Sequence, residues 1–229
     1  MKLSEAVRGV SGTLAADGEF SCIAFATEQE QSQFLTFLEK EKFLPALDNS
    51  KISCVLTTSA LAEKIPPHIK GVFLCDRPKA ALFEIHNRLA RHPDYVGASA
   101  ATVVGEGCSI SPLAAIDCEN VVIGDRVTIE PFVVIKGRVI IGNDVTIRSG
   151  AVIGCKGFSF SKDAQGQNVS VEDTARIIIE DHVEIFEQVA ISTGIFPWEE
   201  TRIGENTKVD AQCHIGHGAH IGRNCLLAE

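Results

Sequence analysis

The sequence predicts a mainly β protein: a parallel β-helix of hexapeptide repeats, preceded by a small α/β domain. Three observations carry that expectation. In the second half an aliphatic residue returns every six positions, at Ile123, Ile129, Ile135, Ile141, Ile147 and Ile153, and again at Ile179, Ile185, Ile191, Ile203, Val209, Ile215, Ile221 and Leu227. A strict short period marks a repeat protein, and a period of six points to a β-helix. Most hexads read Ile-Gly-x-x-Val-x, as in Ile123-Gly-Asp-Arg-Val-Thr and Ile141-Gly-Asn-Asp-Val-Thr. Residues 1–96 lack the period and alternate short apolar runs with helical patterns, the arrangement of an α/β unit. The expected division is therefore 1–96 and 97–229.

Composition narrows the function classes. Hydrophobic residues make up 45% of the 229 residues, and the excess is β-branched, which favours sheet. A formal net charge of −9 argues against a nucleic-acid binder, whose affinity rests on neutralising phosphates. The charged first ten residues are no secretory signal, and no stretch of eighteen apolar residues offers a membrane span. The eight cysteines form no Cys-x-x-Cys pair. Cys108, Cys213 and Cys225 occupy the fifth position of a hexad, where a small inward side chain is wanted, and read as reduced core residues of a cytoplasmic protein.

In the first segment, residues 27–43 are expected to be helical, with Phe34, Leu35, Phe37 and Leu38 as the apolar face. Residues 52–56 and 72–74 read as strands and 59–64 as a short helix. Pro78 opens a further helix, where its missing N–H does no harm, with Ala81, Leu82, Ile85 and Leu89 on one side.

Repeats begin near Val104, with a one-residue slip before Ile123. Three hexads make one triangular coil, so residues eighteen apart should stack, with the first and fifth positions inward. Two departures break the pattern. Residues 156–176 leave the coil, with Phe158 and Phe160 at the base of the excursion; long loops in regular scaffolds are usually functional or disordered, and the aromatics favour a docked, functional loop. Residues 194–201 bulge around Pro197, which forbids a central strand, and hold the only Trp. At Leu227, Ala228 and Glu229 a hexad opens without a polar cap, exposing core and strand edge. Continuation of the natural chain beyond Glu229, or another element over this end, is expected.

His214, His217 and His220 cluster in a chain with only seven histidines. His217, the third residue of its hexad, should sit at an outward corner, and Gly216 and Gly218 beside it allow close approach of a ligand or backbone. Three readings remain open on residues alone: a general base, since neutral imidazole suits proton transfer near pH 7; a metal site; or solvated surface histidines.

The segments Gly154-Cys-Lys-Gly-Phe-Ser-Phe160, Ala175-Arg-Ile-Ile-Ile-Glu-Asp-His-Val-Glu-Ile185 and Val209-Asp-Ala-Gln-Cys-His-Ile-Gly-His-Gly218 closely resemble the UDP-3-O-acylglucosamine N-acyltransferases of lipid A biosynthesis. The resemblance is strong between about 100 and 225 and weaker before 96. It implies a uridine-binding α/β domain, then a left-handed parallel β-helix that forms homotrimers. The implied chemistry is transfer of a 3-hydroxyacyl group from acyl carrier protein to the 2-amine of a UDP-linked glucosamine, with His217 as general base and Asp210 assisting it. No cofactor and no metal are implied.

Several positions depart from the family. Its Phe-x-x-Asn-x-x-Tyr uridine pattern is met here by Phe37, Lys40 and Phe43. Phe43 can stack on a base, whereas Lys40 lacks an amide's paired donor and acceptor and suits a phosphate. Lys156 replaces an Asp in the Gly-x-x-Gly-Phe loop, and Ile191-Ser192-Thr193-Gly194 replaces Ile-Asp-Arg-Gly. His214 stands where the family usually has Gln, and His220 where it has an aliphatic residue. A second family histidine falls beyond Glu229. The alternatives are an acyl- or acetyltransferase using acyl-CoA on another nucleotide sugar, a non-catalytic trimeric binding module, and a zinc enzyme of the carbonic-anhydrase kind. Phe158 and Phe160 complete the expected substrate-binding set.

Overall fold

The fold was established from a computed structural model, which describes residues 1–163 and 165–228. Ala164, inside the first excursion, and Glu229, where the open hexad was expected to end, lie outside the described residues.

Each coil of the second half is closed by the same local chemistry. The first and fifth residues of the hexads point inward and are buried, from Val121 and Ile123 through Val145, Ile147, Val183 and Ile185 to Val209 and Ile215. Cys108, Cys213 and Ala219 are partly buried against the same core. Strands of two to four residues stack in parallel into three sheets. The first face carries Ile110, Ile129, Ile147, Ile185 and Val209 in register. The second carries Ile116, Ile135, Ile153, Ile191 and Ile215, and the third Val104, Ile123, Ile141, Ile179, Ile203 and Ile221. The expected stacks Ile123 on Ile141 and Ile203 on Ile221 are present, and the slip before Ile123 shows as the pair Val104 and Ile123. This is the parallel β-helix that the repeats predict, left-handed as the family resemblance implies. An interior of stacked β-branched side chains has little room to collapse, so truncating one buried Ile to Ala costs about 2–5 kcal/mol.

The corners explain the rest of the hexad. Its fourth residue takes the left-handed conformation, with φ of 54° at Arg126, 56° at Asp144, 58° at His182 and 57° at Asn206. For a residue with a Cβ that conformation costs about 1–2 kcal/mol. Here it aims the N–H at the carbonyl of the coil below: Arg126 donates to Glu106 at 2.8 Å, and Asp144, His182 and Asn206 donate to Asp125, Asn143 and Asp181, each at 2.9 Å. Gly124, in the second position, is required by close stacking, since a Cβ there would lie 2.6 Å from the Gly142 carbonyl oxygen.

Contacts divide the described chain into two compact units, Met1–Tyr95 with Ser159–Glu172, and Val96–Phe158 with the chain from Asp173 onward. In the first, β1 (Thr13–Ala16), β2 (Cys22–Ile23), β3 (Phe34–Leu38), β4 (Ile52–Thr57) and β5 (Gly71–Leu74) form one sheet in the order β1-β5-β4-β3-β2. All neighbours are parallel except β1 with β5. The long helix (Pro78–Leu89) packs on β3 and β4 through Ala81, Leu82, Ile85 and Leu89. The expected strands at 52–56 and 72–74 are found, and residues 59–64 form a 3₁₀ helix.

The expectation of a helix over 27–43 was wrong. Phe34, Leu35, Thr36 and Leu38 are all buried in β3, an interior strand between β2 and β4. A short apolar run reads alike for a buried strand and one helix face; a strand covered on both sides buries consecutive residues, which a single-faced helix does not.

The excursion forms an antiparallel hairpin of Phe160–Lys162 and Asn168–Ser170. Although it lies within 97–229 in sequence, it groups with the first unit because the long helix claims its backbone. Asn87 Nδ2 donates to the Ser170 carbonyl at 2.8 Å, while its Oδ1 accepts the Glu172 N–H at 2.9 Å. Arg77 donates to the carbonyls of Lys162 and Asp163.

Candidate active site

One edge of the triangular helix differs from the other two. Chain running from the second face to the third leaves the coil after Cys155 and returns at Arg176. One coil later it bulges between Ser192 and Glu200, and in the next it turns through Gly216, His217 and Gly218 from His214–Ile215 to His220–Ile221. Both insertions and the His217 corner thus fall on the same edge in consecutive coils.

The bulge is held by its own hydrogen bonds. Glu199 Oε2 accepts the N–H groups of Ile195 and Phe196 at 2.9 and 3.1 Å. Phe196 is buried and stacks on Trp198 with ring centroids 5.9 Å apart. Thr174 donates its hydroxyl to the Ile195 carbonyl at 2.6 Å, and Thr193 donates to the Ala175 carbonyl at 3.1 Å.

That bulge changes how the His217 corner is supported. At the regular corners the fourth-position N–H meets the carbonyl of the coil below. Gly218, in the fourth position with φ of 68°, donates instead to the hydroxyl of buried Thr201 at 3.0 Å. The Thr201 hydroxyl in turn donates a hydrogen bond to the Ser192 carbonyl at 2.9 Å. Gly216 and Gly218 both face open space, with nothing within 4 Å of a built Cβ. Close approach beside His217 is therefore unobstructed, while Gly218 also serves the left-handed corner.

The three histidines are not equivalent. His214 Nε2 lies 2.9 Å from Ser192 Oγ, and that hydroxyl is 3.3 Å from Cys155 Sγ. His220 Nε2 lies 3.1 Å from the Glu200 carbonyl oxygen. His217 is exposed and makes no hydrogen bond or ion pair among the described residues. Two histidines thus spend Nε2 on the protein, and His217 keeps both ring nitrogens for a ligand. Beneath His220, Glu200 is held below the usual carboxylate range by hydrogen bonding to Arg202, with further attraction from Arg202 and Arg176 outweighing its burial.

The other expected residues lie elsewhere. Asp210 follows the first face, at the edge between first and second faces, one coil above Phe186, and accepts the Ala211 N–H at 2.8 Å. Within one chain it occupies a different edge from His217. Phe37, Lys40 and Phe43 do not share a helix face. Phe37 lies in β3, edge-to-face with Phe25 at 6.4 Å; Lys40 precedes the 3₁₀ helix Glu41–Asp48, and Phe43 within that helix is 55% exposed. Phe158 is 95% exposed at the end of a segment of the second unit, whereas Phe160 opens the hairpin of the first.

Ser192, Thr201 and Glu199 were not foreseen as supports. Thr201, polar at an inward position, was the available signal. Also unforeseen was a cavity of about 580 Å³ in the first unit, lined by the long helix, the hairpin and Val10–Ser11, among other residues. Two of its cations are already engaged: Arg77 on the hairpin carbonyls and Arg88 on those of Ala6 and Arg8.

The fold is a hexapeptide-repeat β-helix, and the family profile "Bacterial transferase hexapeptide (six repeats)" matches residues 120–155 and 200–229. More particularly, the chain is related by sequence to UDP-3-O-acylglucosamine N-acyltransferases. One, from Bradyrhizobium sp. (strain BTAi1 / ATCC BAA-1182), is 29% identical over 89% of this chain and 64% of its own. Another, from Coxiella burnetii (strain Dugway 5J108-111), is 28% identical over 99% of this chain and 72% of its own. The chain thus spans about two thirds of the length of these relatives. Among solved structures, an Arabidopsis UDP-N-acetylglucosamine acyltransferase is 22% identical with a TM-score of 0.43, covering 55% of this chain and 48% of that one.

Proposed function

We propose that this protein is an N-acyltransferase that moves a 3-hydroxyacyl group from acyl carrier protein to the amine of a UDP-linked glucosamine, with His217 as general base. The observation that carries the reading is His217 itself, with both ring nitrogens uncommitted, between unobstructed glycines, on the edge where both insertions leave the coil. An amine attacking a thioester must lose a proton, and a neutral imidazole within hydrogen-bond reach takes it. The activity for which the relatives are named suggests the acceptor's chemistry. The first unit is the proposed uridine-binding domain, with Phe43 offering an exposed ring for stacking, Phe37 contributing from β3 and Lys40 suited to a phosphate. Phe158 and Phe160 are proposed to contact substrate. The compartment proposed is the cytoplasm; among the described residues no helix is long and apolar enough to cross a membrane.

The assay is turnover of UDP-3-O-acylglucosamine with 3-hydroxyacyl carrier protein. His217→Ala should lower kcat about 10²–10⁴-fold, and near-normal turnover would sink the base assignment. A panel including acetyl-CoA tests the carrier.

Asp210 belongs to this reading only across a subunit boundary, since in one chain it sits on another edge. The proposed assembly is a homotrimer in which one copy's Asp210 faces its neighbour's His217. Mixed oligomers of His217→Ala and Asp210→Ala chains should then recover roughly a quarter of the sites by random association. No recovery would place the two residues in one chain's site or in none.

A further inference from the structure

Ser192 is only 2% exposed, so its hydroxyl proton needs a protein acceptor; a buried hydroxyl without one costs about 1–3 kcal/mol. Two atoms are in range, Cys155 Sγ at 3.3 Å and His214 Nε2 at 2.9 Å. An unprotonated imidazole nitrogen accepts well and a thiol sulfur accepts weakly, while the thiol has a proton to give. All three groups are satisfied when Cys155 S–H donates to Ser192 and Ser192 O–H donates to His214 Nε2. That direction places the ring proton of His214 on Nδ1. His214 is exposed, and its Nδ1 makes no hydrogen bond among the described residues. It projects from the strand that runs into the His217 corner, in register with Ala190 one coil below.

We infer that His214 is a fixed hydrogen-bond donor at the candidate site, presenting Nδ1–H to a negatively charged substrate oxygen, and is not a second base. A base must face the substrate with an unprotonated nitrogen, and the buried Cys155–Ser192 chain ties up the one that His214 has. The chemistry served is an anionic oxygen, either on the diphosphate of a nucleotide sugar or on the carbonyl as it becomes tetrahedral, where a preplaced donor acts without reorganisation. The substrate rests on the proposed function; the tautomer does not.

The first measurement is ¹⁵N NMR of histidine-labelled protein, which reads the tautomer without any assay. His214 should be protonated on Nδ1, and Ser192→Ala should shift it toward the Nε2–H form. A native Nε2–H tautomer overturns the inference. The second compares His214→Gln with His214→Leu. Gln supplies an acceptor for Ser192 and an N–H donor but exchanges no proton, so it should stay within about threefold of native, while Leu should lose about tenfold or more. The loss falls in the acceptor KM if the partner is a phosphate and in kcat if it is the developing oxyanion. Leu as active as native, or Gln as impaired as Leu, overturns the donor role. Should the native protein show no turnover, the proposed function fails by itself. NMR still decides the tautomer, and calorimetry with UDP-3-O-acylglucosamine then tests the donor, overturning it if His214→Leu binds as native.

Discussion

Two edges of the same β-helix put equivalent corners to opposite uses. On the edge from third face to first, corner polar groups pair between adjoining coils. Asn143 Oδ1 accepts the Asp125 N–H at 2.9 Å, Asp181 Oδ1 accepts the Asn143 N–H at 2.7 Å, and Arg126 pairs with Asp144. On the edge from second face to third, the insertions interrupt the stack of corners. Support for the His217 corner passes to Thr201 and Ser192, and an imidazole is left with nothing to bind. A self-satisfied corner contributes stability and has no capacity left for a ligand. An interrupted corner contributes less and keeps its groups for chemistry.

The largest test of that contrast is His217→Ala, expected to cost about 10²–10⁴ in kcat with little change in Tm, because an exposed residue with no hydrogen bond holds nothing in place. A matching loss of stability would make His217 a structural corner like the others. Next is Thr201→Val, which keeps the shape of an inward residue but removes the hydroxyl under Gly218. Misplacement of a catalytic group by about 1 Å costs up to 10², so kcat should fall about tenfold or more at constant KM, with recovery in Thr201→Ser. Equal failure of Ser and Val would mean that packing, not the hydrogen bond, positions the corner.

On the regular edge the signs reverse. Asn143→Ala leaves the Asp125 N–H without its acceptor, so denaturant melts should show a loss of about 1–3 kcal/mol while turnover stays native. The smallest effect is in pH. Glu180 is held below its ordinary value of 4.5 by hydrogen bonding to Arg202 and by the Glu205 N–H, and Glu200 likewise by Arg202. Carboxylates with depressed folded pKa values stabilise fully above the unfolded value and lose that contribution as pH falls through the folded one. Tm should therefore fall below about pH 4.5, and Arg202→Ala should flatten that fall. An unchanged slope would remove these pairs from the stability of the coil.

The two units also differ in how far they could be read from sequence. The inward positions of the uninterrupted hexads were legible, since each packs against residues eighteen places away by one repeated rule. In the first unit, Phe34 to Leu38 carried spacing that fits either element, and only the neighbouring strands made it β3. His217 could be placed at an outward corner from the period alone. That it would be the uncommitted histidine could not, because His214 is bound by Ser192, twenty-two positions earlier, across a bulge that interrupts the count.

By itself the sequence determined the helical coil, its inward residues, the two departures and the corner of His217, because these follow from a local period and the geometry of stacking. Tertiary structure decided that both departures share the edge of His217, that the hairpin groups with the first unit, and that His214 is tied to Ser192. Those outcomes depend on hydrogen bonds between residues far apart in the chain, whose partners no spacing rule specifies.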